Sequence, residues 1–383
     1  MKASLRRLLF RAVARISAPF FGRRRPSSLE EHARLLLIRP DHVGDVLFST
    51  PALRLLRSAM PDANICCLVG PWAEDIVKHN SNLDEILTCP FPGFTRLPKR
   101  HLLEPYVLLW RCARQLREKR FDAAIVLRFD HWWGAMLAYW AHIPERVGYG
   151  LPEAMPFLTK AVPYVGGRHE VEQNMHLVAA MLDHDIADIG PLEFTPEPEE
   201  AQSALRRLVG EAVGQRYVCL HPGAGAPVKL WRPEGFAQVA DNLVERYGLQ
   251  VIISGSAAER SLAEDIADRM ETRPVVVAGQ TSLGELAAIM GRCELVIGVD
   301  SGPLHVAVSQ AVPTVHLFGP VDHRTFGPWG DPRKHLVLLS ERDCVPCNRL
   351  DYAPDELGQH PCVRSITVAQ VLEAAHSLLR ANS

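Results

Sequence analysis

The sequence predicts an α/β protein made of two doubly wound, Rossmann-like lobes facing a cleft. Three observations predict it. Short apolar runs alternate with longer segments of helical period, the pattern of parallel strands joined by crossover helices. The alternation comes as two series separated by the Pro- and Glu-rich stretch Pro191 to Pro198, read as the interdomain linker. At 383 residues the chain is also long enough for two sizeable cores. The expected division is a basic extension over residues 1–30, an acceptor-side lobe over 31–193 and a nucleotide-sugar-binding lobe over 194–383.

In the first series, Leu35 to Ile38 reads as a buried strand. A sharp turn permitted by Gly44 follows it, then a helical period kinked near Pro51. This βα unit places Asp41 and Asp45 beyond the carboxyl end of its strand, where open α/β sheets bind ligands. Ile65 to Val69 and Glu85 to Thr88 read as strands around a helix at Trp72 to His79. Leu102 to Lys119 reads as a long helix, Ala123 to Leu127 as a strand, Trp132 to Ala141 as a helix and Arg146 to Gly150 as a short strand end. His169 to Leu182 reads as a further helix.

The second series begins with a helix at Glu199 to Val213 and a strand at Tyr217 to His221. Helices at Pro233 to Tyr247, Ala258 to Met270 and Ser282 to Met290 alternate with strands at Gln250 to Ser254 and Pro274 to Ala278. Glu294 to Pro320 then reads as strand, turn, helix and strand, followed by a strand at Leu336 to Leu339 and a closing helix at Val368 to Leu379. Pro303 suits the first helical position, and Ser301 or Gly302 the cap. The helix start then offers free N–H groups to an anion such as a diphosphate, although an ordinary βα turn uses the same residues.

The net charge of −2 conceals an asymmetry: residues 1–25 carry eight basic side chains and no acid. As a helix from Ser4 to Ser17, they form a stripe of Arg7, Arg11 and Arg15, with Leu5, Leu8, Leu9, Val13 and Ile16 mostly on another side. Such a segment suits the surface of an anionic membrane; a disordered basic tail or a transit peptide are the alternatives. A cleavable signal fits less well, because arginines interrupt the apolar stretch. No run of eighteen apolar residues exists to span a bilayer, and no nucleic-acid partner is expected. Six of the nine cysteines lie in or beside apolar runs and read as packing residues of a reducing compartment. Cys344, Cys347 and Cys362 share a polar, Pro-rich loop with His360, which suits either zinc or a thiol cluster without metal; the expectation is no metal.

Three loops of the second series carry chemistry at strand ends. In HPGAGAPVKLW, Gly223 and Gly225 let the backbone approach an anion and Lys229 supplies a positive charge. In SGSAAER, Glu259 offers a carboxylate to ribose hydroxyls, or simply starts a helix. The third loop is GVDSGPLH. Together they suit a nucleoside diphosphate. In the first series, Asp41 or Asp45 can take a proton from a hydroxyl nucleophile, with helix capping the plainer role for Asp41.

With IRPDHVGDVLFSTPALR, HPGAGAPVKLWRPEGFAQVA and GVDSGPLHVAVSQAVPTVHLFGP in this order, the chain resembles the ADP-heptose:lipopolysaccharide heptosyltransferase family of inverting glycosyltransferases, from about Leu35 to Leu379. The resemblance implies the two-lobed GT-B fold. It also implies transfer of a heptose or similar sugar from a nucleoside diphosphate, ADP-heptose, to a lipopolysaccharide or related glycan acceptor. Asp45 becomes the general base, Lys229 the partner of the donor diphosphate, Glu259 the ribose contact and Asp300 the sugar contact. Ser301, Gly302 and His305 complete the diphosphate pocket, with Gly223 and Gly225 beside it. The resemblance implies no metal or cofactor, and a location in the cytoplasm, peripheral on the inner membrane. Two features depart from its best-known members: the basic extension is longer, and Gly225-Ala226-Pro227 replaces a hydroxyl-rich loop. A nucleotide-sugar epimerase or isomerase and a non-catalytic nucleotide-sugar-binding protein are the alternative readings.

Overall fold

The computed structural model describes residues 3–17, 31–95, 101, 103–183, 190–209 and 215–381. Two compact units divide the chain, Met1–Gly190 and Pro191–Ser383. In the first, strands β1 (Arg34–Arg39), β2 (Asn64–Val69), β3 (Glu85–Thr88), β4 (Ala123–Val126), β5 (Glu145–Tyr149) and β6 (Lys160–Val162) form one sheet. Its order is β3-β2-β1-β4-β5-β6, and every neighbouring pair is parallel. Leu35 to Ile38 in β1 are wholly buried, as a strand covered on both faces requires. The helices are α1 (Ala3–Ser17), α2 (Val43–Leu47), α3 (Thr50–Ala59), α4 (Glu74–Val77), α5 (Glu104–Lys119), α6 (Trp132–Trp140) and α7 (Glu170–Leu182). The kink expected near Pro51 is the break between α2 and α3. A short strand, β6, escaped the sequence reading because three residues are too few to show a period.

The second unit repeats the plan. Strands β7 (Tyr217–His221), β8 (Gln250–Ile253), β9 (Val275–Val276), β10 (Cys293–Val299), β11 (Thr314–Phe318) and β12 (His335–Leu339) form a sheet of order β12-β11-β10-β7-β8-β9, again all parallel. Its helices are α8 (Pro198–Ala204), α9 (Pro233–Tyr247), α10 (Arg260–Arg269), α11 (Leu283–Met290), α12 (Gly302–Ser309), α13 (His323–Phe326) and α14 (Val368–Ala381). The helix expected to run from Glu199 to Val213 gives way after α8 to a five-residue π turn, Leu205–Val209, and its last residues, 210–213, lie outside the described residues.

In each sheet the chain reverses its direction of winding once. The first unit adds β2 and β3 on one side of β1 and β4 to β6 on the other; the second adds β8 and β9 on one side of β7 and β10 to β12 on the other. Adjacent crossovers part at such a point and leave a crevice beyond the strand ends. The loops after β1 and β4 therefore flank one crevice, and those after β7 and β10 the other. The loops after β1, β7 and β10 carry the candidate residues except Glu259, which follows β8.

Helix α1 joins the first unit through Phe10, which is fully buried and packs on Trp132 and Phe157 with ring centroids 4.8 and 5.6 Å away. Arg6 and Arg7 both reach Glu153, and Tyr139 donates to the Ala14 carbonyl. Of the apolar residues expected on the side away from the arginine stripe, Leu8, Leu9 and Ile16 are exposed, and Phe10, not named among them, supplies the inward contact. No described helix is long and apolar enough to cross a membrane. Lys2 and Arg23 to Arg25, the rest of the basic extension's charge, lie outside the described residues.

Candidate active site

In the first unit the site grows from a buried charge. Arg39 ends β1 and is 1% exposed. A buried guanidinium needs partners in every direction, and the sequence supplies them from separate elements. Glu170 and Asn174, one helical turn apart, share a face of α7; Arg39 donates to Glu170 Oε2 at 2.9 Å and to Asn174 Oδ1 at 3.0 Å. The start of α7 is fixed by its cap, where His169 Nδ1 accepts from the Val171 N–H and Glu172 accepts from the His169 N–H. Arg39 Nε lies 2.9 Å from Asp41 Oδ2 as an ion pair not aligned for a hydrogen bond.

Asp41 is buried and also accepts from Arg128, beyond β4; Arg128 donates onward to Asp130 at 2.6 Å. Asp41 is thus an ion-pair residue and not the helix cap expected for it: the residue capping α2 is His42, which forms no side-chain cap bond. Burial pushes the Asp41 carboxyl up, but Arg39 and Arg128 outweigh it and hold the group below the usual carboxylate range.

Asp45, in the first turn of α2, meets solvent as Arg128 does, with 30% of its side chain exposed and an oxygen 3.7 Å from Arg39. Burial by its surroundings and then the neighbouring Asp41 charge push it up to about 7, against the pull of Arg39. Water at its open side tempers that push without reversing it. A carboxylate so placed both ionises near neutral pH and holds a proton well, the balance a general base requires. Arg39, Glu170, Arg128 and His131 were missed by sequence reasoning. The available signal was an arginine closing a buried apolar strand, which implies buried carboxylates without saying where they come from.

In the second unit, Lys229 Nζ lies 2.7 Å from Asp300 Oδ2. Lys229 ends a short 3-10 turn after β7, and Asp300 follows β10, so the pair spans the crevice between those two strands. Gly223 and Glu259 also meet. A Cβ added at Gly223 would stand 2.2 Å from the Glu259 carboxyl, so a larger residue there would displace that side chain. Glu259 Oε2 accepts from the Ser256 N–H and hydroxyl at 2.7 and 2.8 Å, which makes it a helix-start acid while leaving it beside the glycine loop.

Ser301 caps α12 by position only. Its hydroxyl forms no cap bond and has no partner, although the residue is buried. Gly302 is the first helical residue, and Pro303 follows it. His305, one turn in, is buried with its ring 5.7 Å from that of His316. Gly225 is exposed at the crest of its loop. His221 ends β7 with Nδ1 3.0 Å from the Ser254 hydroxyl, and burial lowers it to about 4 against the opposing Glu259 charge. The arrangement offers an unpaired hydroxyl and helix N–H groups to an anion, with a lysine and two carboxylates alongside.

The family model for glycosyltransferase family 9 (heptosyltransferase) matches residues 109–353. Lipopolysaccharide heptosyltransferase 2 of Salmonella typhimurium is 26% identical over 366 residues, which span 90% of this chain and 98% of that protein. A glycosyl transferase family 9 protein from Veillonella parvula shares 27% identity at a TM-score of 0.78, covering 93% of this chain and all (100%) of that one. The structure of the E. coli ADP-heptose lps heptosyltransferase II matches with a TM-score of 0.74, 22% identity and coverage of 91% and 99%, a likeness of fold. The chain, with its two parallel sheets and its charged loops at both switch points, belongs to glycosyltransferase family 9, the heptosyltransferases.

Proposed function

We propose that this protein transfers a heptose, or a closely similar sugar, from a nucleoside diphosphate, ADP-heptose, to a lipopolysaccharide or related glycan acceptor, with inversion at the anomeric carbon. The observation that carries the reading is Asp45, a part-exposed carboxylate poised near neutrality by burial and the Asp41 charge, against the pull of Arg39. It takes the proton of an acceptor hydroxyl as that oxygen attacks the anomeric carbon. The bond from that carbon to the diphosphate breaks in the same displacement, so the configuration inverts. The charge that develops on the departing phosphate is met by the N–H groups that start α12, by the Ser301 hydroxyl and by Lys229, groups fixed before the reaction begins. Lys229 exchanges Asp300 for the phosphate, which frees Asp300 to bond the sugar, and Glu259 holds the ribose. With these groups carrying the charge, transfer needs no divalent metal.

Residues 1–25 hold the protein on an anionic membrane at the cytoplasmic face of the inner membrane. This reading rests on α1, where Leu8, Leu9 and Ile16 are exposed beside the exposed Arg11 and Arg15.

The test is a screen of ADP-, GDP- and UDP-sugars against a lipid-linked acceptor extract, read by mass spectrometry. ADP-heptose should give a glycosylated acceptor and ADP. Asp45→Asn should lower turnover at least about a thousandfold, around 4 kcal/mol of barrier, with donor affinity kept. Product formed without any acceptor would make the protein an isomerase, and donor binding without nucleotide release under every acceptor condition would make it a binding protein.

A further inference from the structure

A surface helix ordinarily turns charged residues away from the core that it covers. Helix α5 turns out apolar ones. Leu109, Ala113 and Leu116 make its buried side. On the opposite side, at spacings of three and four that share one face, Leu103 at the cap, Val107 and Trp110 are 70, 48 and 54% exposed, and Tyr106 is exposed beside them. Single exposed apolar side chains are ordinary on a protein surface, whereas a contiguous group marks a contact with something else.

The group has company on the same side of the unit. The connections from β3 to β4 and from β4 to β5 run in one direction across the sheet, so right-handed crossovers put α5 and α6 on one face. Helix α1 covers that face too, since its Phe10 shares a core with the buried side of α5 and with Trp133 of α6. Met155 lies in the short turn whose Phe157 meets Phe10. With it, the exposed residues of α1 and α5 make up eight of the eleven exposed large apolar side chains among the described residues.

The charges at the rim indicate what covers this side. Arg111 and Arg114 are exposed along the α5 stripe, as Arg11 and Arg15 are on α1. The Arg114 guanidinium lies 5.9 Å from the centre of the Trp110 ring. The acids nearby are Glu153, taken up by Arg6 and Arg7, and on α5 Glu104 and Glu118. Glu118 stands 3.9 Å from Arg114 with both groups largely in water, where such a pair holds little. Aromatic residues with polar tips, set among aliphatic side chains and arginines, suit the interface of a bilayer whose headgroups are anionic.

The stripe also begins at the end of the sheet that holds Asp45. Trp133 Nε1 donates to the Pro105 carbonyl at 3.1 Å, and Tyr106 lines a cavity with Arg128 and Trp132. Arg128 in turn bonds Asp41. We propose that the outward face of α5, together with that of α1, is a docking surface for an anionic lipid bilayer, with Leu103, Val107 and Trp110 entering the interface and Arg111 and Arg114 meeting its phosphates. The proposal rests on the membrane reading for the share of α1, while the α5 contact is tested by itself. On the glycosyltransferase reading, this contact holds the crevice after β1 close to the surface that displays a lipid-linked acceptor.

The test sediments the full-length protein with vesicles of equal parts phosphatidylcholine and phosphatidylglycerol, and with vesicles of phosphatidylcholine alone. Binding to the anionic vesicles is expected. Val107→Ser with Trp110→Ser should weaken it about tenfold and leave Tm unchanged, because both side chains are exposed. Arg111→Gln with Arg114→Gln should weaken it by about the same factor and reduce its dependence on salt, which keeps the test sound if the first pair disturbs the fold. Unchanged binding in both α5 variants, with loss when Leu8, Leu9 and Ile16 become serine, would overturn the α5 contact and leave the reading of α1 standing. Weakening in both α5 variants with no effect of the α1 changes would support the α5 contact and overturn that of α1. Equal binding to the two kinds of vesicle, or binding to neither, would overturn the proposal. Sedimentation equilibrium tests the other occupant: a dimer that Val107→Ser with Trp110→Ser dissolves, in a protein that ignores anionic vesicles, would make this face an interface between copies of the chain and overturn the lipid contact.

Discussion

As the proposed base Asp45 must ionise, yet its surroundings resist ionisation, and Glu170 shifts the balance from a distance. By bonding Arg39, Glu170 uses part of the positive charge that would otherwise draw Asp45 down, and its own charge pushes Asp45 up. The wild-type kcat/KM should therefore climb with pH through about 7 as the base loses its proton. Glu170→Gln should move that acidic limb to lower pH and cost about 3 kcal/mol of stability, the usual penalty for breaking a buried ion pair. A pH–rate profile with folding followed by circular dichroism checks both; an unmoved limb would remove Glu170 from the tuning. The sign for stability is opposite to that for activity. A folded pKa near 7, above the unfolded value of about 3.9, means that Asp45's contribution is complete below about pH 4 and is lost as pH rises through 7. Accordingly Asp45→Asn should raise Tm more at pH 8 than at pH 5. The Gly-Asp-Val pattern made Asp45 legible in the sequence. Its regulators were not, because Glu170 stands more than a hundred positions from Arg39 and local patterning carries no information about such a pair.

At the scale of elements, helices were easier to find than to orient. The period of α1 was visible, but apolar residues stand on several of its sides, and packing alone decides that Phe10 turns inward and Leu8 outward. The two sides make separable demands. Phe10→Ala should destabilise the protein by about 3–5 kcal/mol, as for other buried phenylalanines. Joint replacement of Leu8, Leu9 and Ile16 by serine should leave Tm nearly unchanged and abolish sedimentation with anionic vesicles. Sedimentation unaffected by that triple change would end the case for α1 as a membrane contact. The cysteine loop, for which the sequence offered either metal or packing, gains one physical role. Cys344 and Cys347 are exposed, whereas Cys362 is buried with Ala226 and Val228, beneath the turn that presents Lys229.

Across the whole molecule, the alternation of strand and helix was enough to read two parallel α/β units, since parallel strands need crossovers and buried strands need unbroken apolar runs. Strand order was not legible. It follows from which crossover packs on which face, and so the switch points, hence the convergence of Lys229 with Asp300 and of Arg39 with Glu170, emerged only in three dimensions. The division of labour between units is measurable by hydrogen exchange. ADP at a hundred times its Kd stabilises the state that binds it by about 2.7 kcal/mol. Protection should rise around residues 221–229, 254–259 and 300–305, and not around 41–45 or 128–131. Protection confined to the first unit would invert the assignment.

Phe10 gives the first unit a last property. Its ring rests on Trp132, and Trp132 also lines a cavity of that unit. If residues 1–25 rest on a membrane as proposed, whatever coupling this contact carries between that surface and a ligand in the cavity has one magnitude in both directions: a membrane that tightens the hold on the ligand is itself held tighter by the same factor. A single aromatic contact would then let the protein sort loaded membrane from bare.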